Sequence, residues 1–139
     1  MKMIFAFIAL VLAGCASLGG GAFREIYNND FVGITPEAPP SQVVGTWSGN
    51  MHYFHVTYQI EADGRGLACL ASSESNVMQL KYSNDFVIQS SGQKLKVDSV
   101  TAQKLSLSNT WVKGKLYQFY RDDDLKNASP YCAEKLAKM

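Results

Sequence analysis

The chain has 139 residues, 47% hydrophobic and 18% charged, which suits one domain with a genuine core and excludes global disorder. Its 13 Lys and Arg face 12 Asp and Glu, a formal net charge of +1. A phosphate backbone needs a clustered cationic excess, so nucleic acid is excluded as a partner.

Met1 and Lys2 form a minimal basic start, followed by the uncharged run MIFAFIALVL over residues 3–12. Ten residues are too few to span a bilayer, which takes about 20 in a helix, but they fit the apolar region of a signal peptide. Leu12-Ala13-Gly14-Cys15 comes next. The order and spacing resemble the bacterial lipobox, and the resemblance implies that residues 1–14 are removed as a signal peptide. It also implies that the Cys15 thiol carries a diacylglyceryl group and that the new amino terminus is acylated. A chance cysteine behind an ordinary secretory signal is the alternative. Two or three acyl chains anchor a protein stably, at about 0.8 kcal/mol per buried CH2. The expectation is a protein attached to the membrane of a bacterial cell envelope through its acyl chains. Ala16, where an Asp signals inner-membrane retention, points to the outer membrane and a periplasmic domain. Loss of Lys2 leaves 12 basic and 12 acidic groups, so no polybasic attraction to anionic lipid is expected.

Residues 15–42 read as a lipidated N-terminus and flexible tether. Gly19, Gly20 and Gly21 supply flexibility, and Pro36, Pro39 and Pro40 supply extension. Within the tether, Phe23, Ile26, Tyr27, Phe31 and Val32 form an apolar group. It reads as a segment docked on the domain, with a short partner-binding motif as the alternative, because five such side chains do not readily stay solvated.

Residues 43–139 form the domain. Short runs with period-two alternation follow one another at 43–47, 52–60, 67–71, 77–82, 86–89, 94–100, 104–108 and 112–121, the last being the longest. Gly, Asn, Asp and Ser turns separate them. No connection is long enough for a crossover helix. The expectation is an all-β fold, a small antiparallel up-and-down β-barrel of about eight short strands; a two-sheet sandwich is the alternative. Ser129-Pro130 has the form of a helix cap and first helical position, so a short C-terminal helix carrying Cys132 and Leu136 should close the chain.

With Cys15 lipidated, Cys69 and Cys132 remain. An even pair in an exported protein reads as a disulfide, here pinning the terminal helix to the barrel. Two unrelated buried thiols are the alternative.

Gly45-Thr46-Trp47 opens the first strand, and Arg121 ends the last one in YQFYR. This resembles the lipocalin-like group, whose G-x-W places the Trp across the closed end of the barrel under an Arg from the last strand. The resemblance makes Trp47 and Arg121 the barrel-closing pair. It also agrees with a disulfide between a strand and the C-terminal segment. The chain is shorter than a usual lipocalin, other lipocalin motifs are not visible, and it bears a general likeness to small envelope lipoproteins of Gram-negative bacteria.

No catalytic set, metal site or cofactor is expected. His52 and His55, three apart on one strand, point to opposite faces. Asp122-Asp123-Asp124 fails the calcium-loop pattern, with Lys126 in a ligand position, and reads as a solvated turn. Gly45-Thr46-Trp47-Ser48-Gly49 places Trp47 where a nucleophile would stand. Trp111, Tyr117, Phe119 and Tyr120 make the last strand aromatic on both faces, as core or as a binding surface. The expected function is therefore non-enzymatic: an envelope lipoprotein whose barrel engages an envelope protein or glycan through its surface. The alternative is a carrier of a small apolar ligand inside the barrel, which needs a pocket of a few hundred Å³.

Overall fold

The computed structural model describes residues 29–109 and 114–138. The lipobox with Cys15, the glycine tract, Phe23, Ile26, Tyr27, Trp111 and Val112 lie outside the described residues.

Eight strands follow in order: β1 Gly45–Met51, β2 Phe54–Ile60, β3 Arg65–Ala71, β4 Asn76–Ser83, β5 Phe86–Gln89, β6 Lys94–Val100, β7 Lys104–Asn109 and β8 Leu116–Arg121. Each pairs antiparallel with its neighbour, and β1 pairs with β8, so the sheet closes into a barrel. Closure leaves no sheet edge, which distinguishes the molecule from a two-sheet sandwich. One helix, α1 (Pro130–Ala137), follows the barrel. Ser129 caps it by accepting the Cys132 N–H at 3.1 Å, with Pro130 at the first helical position.

Alternation sorts the side chains. Val56, Tyr58 and Ile60 of β2, Leu80 and Tyr82 of β4, Leu105 and Leu107 of β7, and Tyr117 and Phe119 of β8 join one buried cluster inside the barrel. The largest, Trp47, Tyr58 and Phe119, are fully buried. A bulge between Val97 and Ser99 breaks the alternation of β6, which lets Val97 and Val100 both pack on the core.

Several boundaries differ from the sequence expectation. β1 continues to Met51, and β2 starts at Phe54 because His52 and Tyr53 form the hairpin turn, with His52 at a left-handed φ of 57°. β8 covers Leu116–Arg121, so it is six residues long and β4, with eight, is the longest described strand. Asn84 and Asp85 both take positive φ, 49° and 62°, in the tight β4–β5 turn, a geometry that short polar side chains tolerate.

The barrel has two unlike ends. The connections 61–64, 84–85 and 101–103 gather at one end, hereafter the floor. The connections 52–53, 72–75, 90–93 and that between β7 and β8 gather at the other, the mouth. Residues 29–44 form a strap on the outer wall. Of the stretch read as tether, residues 29–42 therefore lie against the barrel. Phe31 is buried and heads a short 3-10 turn, Phe31–Gly33, whereas Val32 is 93% exposed.

Candidate functional site

The floor is built around Trp47. Its Nε1–H donates to the Val43 carbonyl at 2.9 Å, so the strap's last turn caps the indole. The Arg121 guanidinium lies on the ring, 4.1 Å from its centroid, a contact worth about 0.5–2 kcal/mol. The strand register explains the meeting, since Trp47 stands directly opposite Arg121. All three nitrogens of that fork are used: Nε donates to Ala102 O, Nη1 to Val44 O and Nη2 to Gln42 O, at 2.7, 2.9 and 2.8 Å. Asp123 completes the charge balance at 3.6 Å and accepts the Thr46 N–H at 2.8 Å. One side chain thus ties the β6–β7 turn and the strap to the barrel. A lysine has neither the planar fork nor enough aligned donors for this.

Beside the floor, Asp122 differs from the solvated turn expected of the acidic triplet. It is 2% exposed and accepts from Ser48 Oγ at 2.8 Å and from the Asn127 N–H at 3.0 Å. Ser48 Oγ also meets Thr57 Oγ1 at 2.8 Å. A buried carboxylate is tolerable only with such partners. The network positions the link into α1, which covers the outer face of β3. There Cys69 and Cys132 are joined, with Cα atoms 5.7 Å apart, and Leu136 is buried beside them. A crosslink over 63 positions stabilises by about 4 kcal/mol in the chain-entropy account.

The two histidines are not neighbours on one strand. His52 sits in the mouth turn, its Nε2 2.6 Å from the Tyr117 hydroxyl. His55 faces outward, between Asn50 Oδ1 and the Asn127 carbonyl at 2.8 and 2.6 Å. Among the described residues, no three His, Cys, Asp or Glu side chains are grouped to hold a metal ion.

Inside the barrel, Tyr58 accepts from Gln89 Nε2 at 2.8 Å and meets the Phe119 ring edge-on at 5.1 Å. Burial drives its phenol well above the ordinary tyrosine range, against a smaller opposing effect of the Gln89 hydrogen bond. Tyr82 is pushed up to about 12 by burial and then by its hydrogen bond to Asp85. Both stay neutral through the physiological range.

Two concavities remain. At the mouth, the half-buried Phe54, Leu70 and Met78 line a cleft of about 530 Å³ beneath the β3–β4 hairpin. On the outer wall, Phe31, Arg65, Leu67 and Lys81 line a groove of about 480 Å³ between the strap and β2–β4. Lys81 lies over the Phe31 ring at 4.4 Å and donates to its carbonyl at 2.7 Å. Neither concavity was anticipated from sequence. The groove has a signal only in retrospect: Leu67 is apolar at a position that alternation assigns to the outside of β3.

With this geometry in place, residues 28–136 match the family described as bacterial lipocalin LPS transport optimiser YedD. The chain belongs to this family. The match covers the strap, the barrel and nearly all of α1. A solved structure from Streptococcus pneumoniae, described as a "putative lipoprotein", shares the fold at a TM-score of 0.50. It is 15% identical, covering 62% of this chain and 99% of its own. No curated protein matches the chain. Membership in a bacterial lipocalin family agrees with the closed eight-stranded barrel and with a floor made of a G-x-W tryptophan and an arginine. No described helix is long and apolar enough to cross a membrane.

Proposed function

We propose that this protein is a non-enzymatic lipoprotein of the bacterial cell envelope, anchored through acyl chains on Cys15, that assists lipopolysaccharide transport by binding another envelope component with its outer surface. The family's description supplies the process. The observation that carries the mode of action is the filled interior. Trp47, Tyr58 and Phe119 are fully buried in the lumen, so the lower barrel is occupied by its own side chains. The outer groove at Phe31, Arg65, Leu67 and Lys81, with Glu61 also in its lining, combines apolar area with charges of both signs, which suits an envelope protein or glycan. An outer-membrane site facing the periplasm fits Ala16 after the acylated cysteine.

The test is complementation. In cells lacking the protein, newly made lipopolysaccharide should reach the surface more slowly. The wild-type chain should restore the rate, and Cys15→Ser and Arg65→Glu should not. Full rescue by Cys15→Ser would remove the anchor from the account, and full rescue by Arg65→Glu would remove the groove.

The mouth cleft supports a second reading, carriage of a small apolar ligand. Its about 530 Å³ and its lining of Phe54, Leu70 and Met78, which face inward at the mouth end of the barrel, give that reading a site above the filled lower lumen.

A further inference from the structure

Three independent features distinguish the mouth from the floor. The first is where the chain leaves. Going upstream from the floor, the strap climbs the wall, with Glu37 bonded to Tyr82 O near the floor and Asn29 Nδ2 donating to Ser90 O at a mouth-side connection. Cys15 lies 14 residues before Asn29, a reach of at most about 50 Å. The described chain therefore begins at the mouth half of the barrel, within reach of an anchor on that side.

The second feature is charge. The floor connections themselves carry Glu61, Asp63 and Asp85 and no cation, with Glu37 and Asp123 beside them and Arg65, Lys81, Lys104 and Arg121 at the adjoining strand ends. Among the described residues of the mouth connections, Glu74 is balanced by Lys115, and Asp30 beside them is paired with Lys94 at 3.2 Å. A surface of lipid phosphates repels the acidic floor turns more than it does the mouth. The near-zero net charge of the mature chain conceals this polarity.

The third feature is exposed apolar area. Among the described residues the large exposed apolar side chains are Tyr53, 96% exposed at the tip of the β1–β2 hairpin, Leu116, 52% exposed at the mouth end of β8, Val32 on the strap, and, toward the floor, Tyr120 alone. Tyr53 and Leu116 belong to the same part of the rim because β1 and β8 pair. A tyrosine presented this way suits the boundary between headgroups and acyl chains, where its ring and hydroxyl both find favourable surroundings.

We propose that the mouth rim, led by Tyr53 and Leu116, rests on the lipid surface that holds the protein's own anchor. The barrel then stands mouth down. The cleft of Phe54, Leu70 and Met78 faces the headgroup layer, and the acidic floor points away from the membrane. This rests on the reading of Cys15 as lipidated.

The experiment uses the full chain in vesicles of phosphatidylethanolamine and phosphatidylglycerol, with intact-mass measurement of the Cys15 modification. Environment-sensitive fluorophores are placed singly through Tyr53→Cys, Leu116→Cys, Asp63→Cys and Gln103→Cys. Emission should shift to the blue, and nitroxide lipids should quench, at 53 and 116 and not at 63 or 103. Amide exchange of the unlabelled wild-type chain, free of any reporter artefact, should slow several-fold on vesicles across residues 51–54. Equal quenching at all four positions, quenching at 63 or 103 alone, or unchanged exchange at 51–54 would overturn the proposal. A bare Cys15 by mass refutes the anchor separately. In that case, vesicle-dependent shifts at 53 and 116 would still uphold the rim contact, and their absence would end it.

Discussion

The floor and the mouth are made from the same eight strands, yet one end is closed by specific bonds and the other is left as a rim. At the floor, Arg121 alone reaches three carbonyls and the Trp47 ring, and the strap's Val43 carbonyl takes the indole N–H. At the mouth, Phe54, Leu70 and Met78 are only half covered, and Tyr53 stands in solvent. Stability is thus concentrated at one end, which leaves the other free to carry contacts. That division suits the proposed lipid-tethered domain, which must stay folded while one face meets a surface.

Substitutions should expose the asymmetry. Trp47→Ala removes the largest floor side chain and strands the Arg121 stack. It should cost about 3–5 kcal/mol in urea unfolding, whereas Tyr53→Ser should lie within about 0.5 kcal/mol of wild type. Comparable losses at both positions would contradict the difference between the two ends. Replacing Cys69 and Cys132 with Ser should cost about 2–5 kcal/mol and lower the melting temperature, because α1 then holds the wall only by packing and the Asp122 network. Two glycines sharpen the contrast at matched backbone geometry. Gly64 and Gly114 both have left-handed φ, 88° and 83°. A Cβ at Gly64 would collide with the Glu37 carbonyl of the strap, while at Gly114 it meets nothing within 4 Å. Gly114→Ala should cost only the backbone term, about 1–2 kcal/mol. Gly64→Ala should add about 1–3 kcal/mol of overpacking.

Alkali gives a graded effect. Tyr58 and Tyr82 have raised values in the fold, so above pH 10 the unfolded chain loses protons that the native barrel keeps. Stability is full below pH 10. It should then fall by about 1.4 kcal/mol per pH unit for each tyrosine, Tyr82 ceasing to contribute near pH 12. Chemical unfolding between pH 9 and 11, with ultraviolet titration of the phenols, reads this directly.

The barrel was legible because alternation and turn residues are local signals. Val56, Tyr58 and Ile60 announce a wall, and Asn84-Asp85 announces a turn whose backbone few other residues accept. The boundaries that slipped were decided by tertiary contacts. His52 left the strand pattern because its ring meets Tyr117 from a left-handed turn position. Asp122 looked like any other acid of a solvated triplet. Its burial depends on Ser48 and Thr57, which face outward on β1 and β2, and on Asn127 beyond the barrel. The strap was the hardest to see. Its attachment rests largely on backbone groups, such as the Phe31 and Gln42 carbonyls, which carry no sequence signature. Nothing in the sequence distinguishes the mouth from the floor until the strands are assembled and the acidic turns fall at one end.

On the proposed function the barrel works through its outside, and the lower part of its lumen is filled by its own side chains. The most direct measurement is native mass spectrometry of the Cys15→Ser chain, purified without detergent from a cell-envelope extract. The predicted result is the mass of the polypeptide with one disulfide and nothing more. A lipid or other apolar adduct retained in stoichiometric amount would contradict the claim and make the protein a carrier.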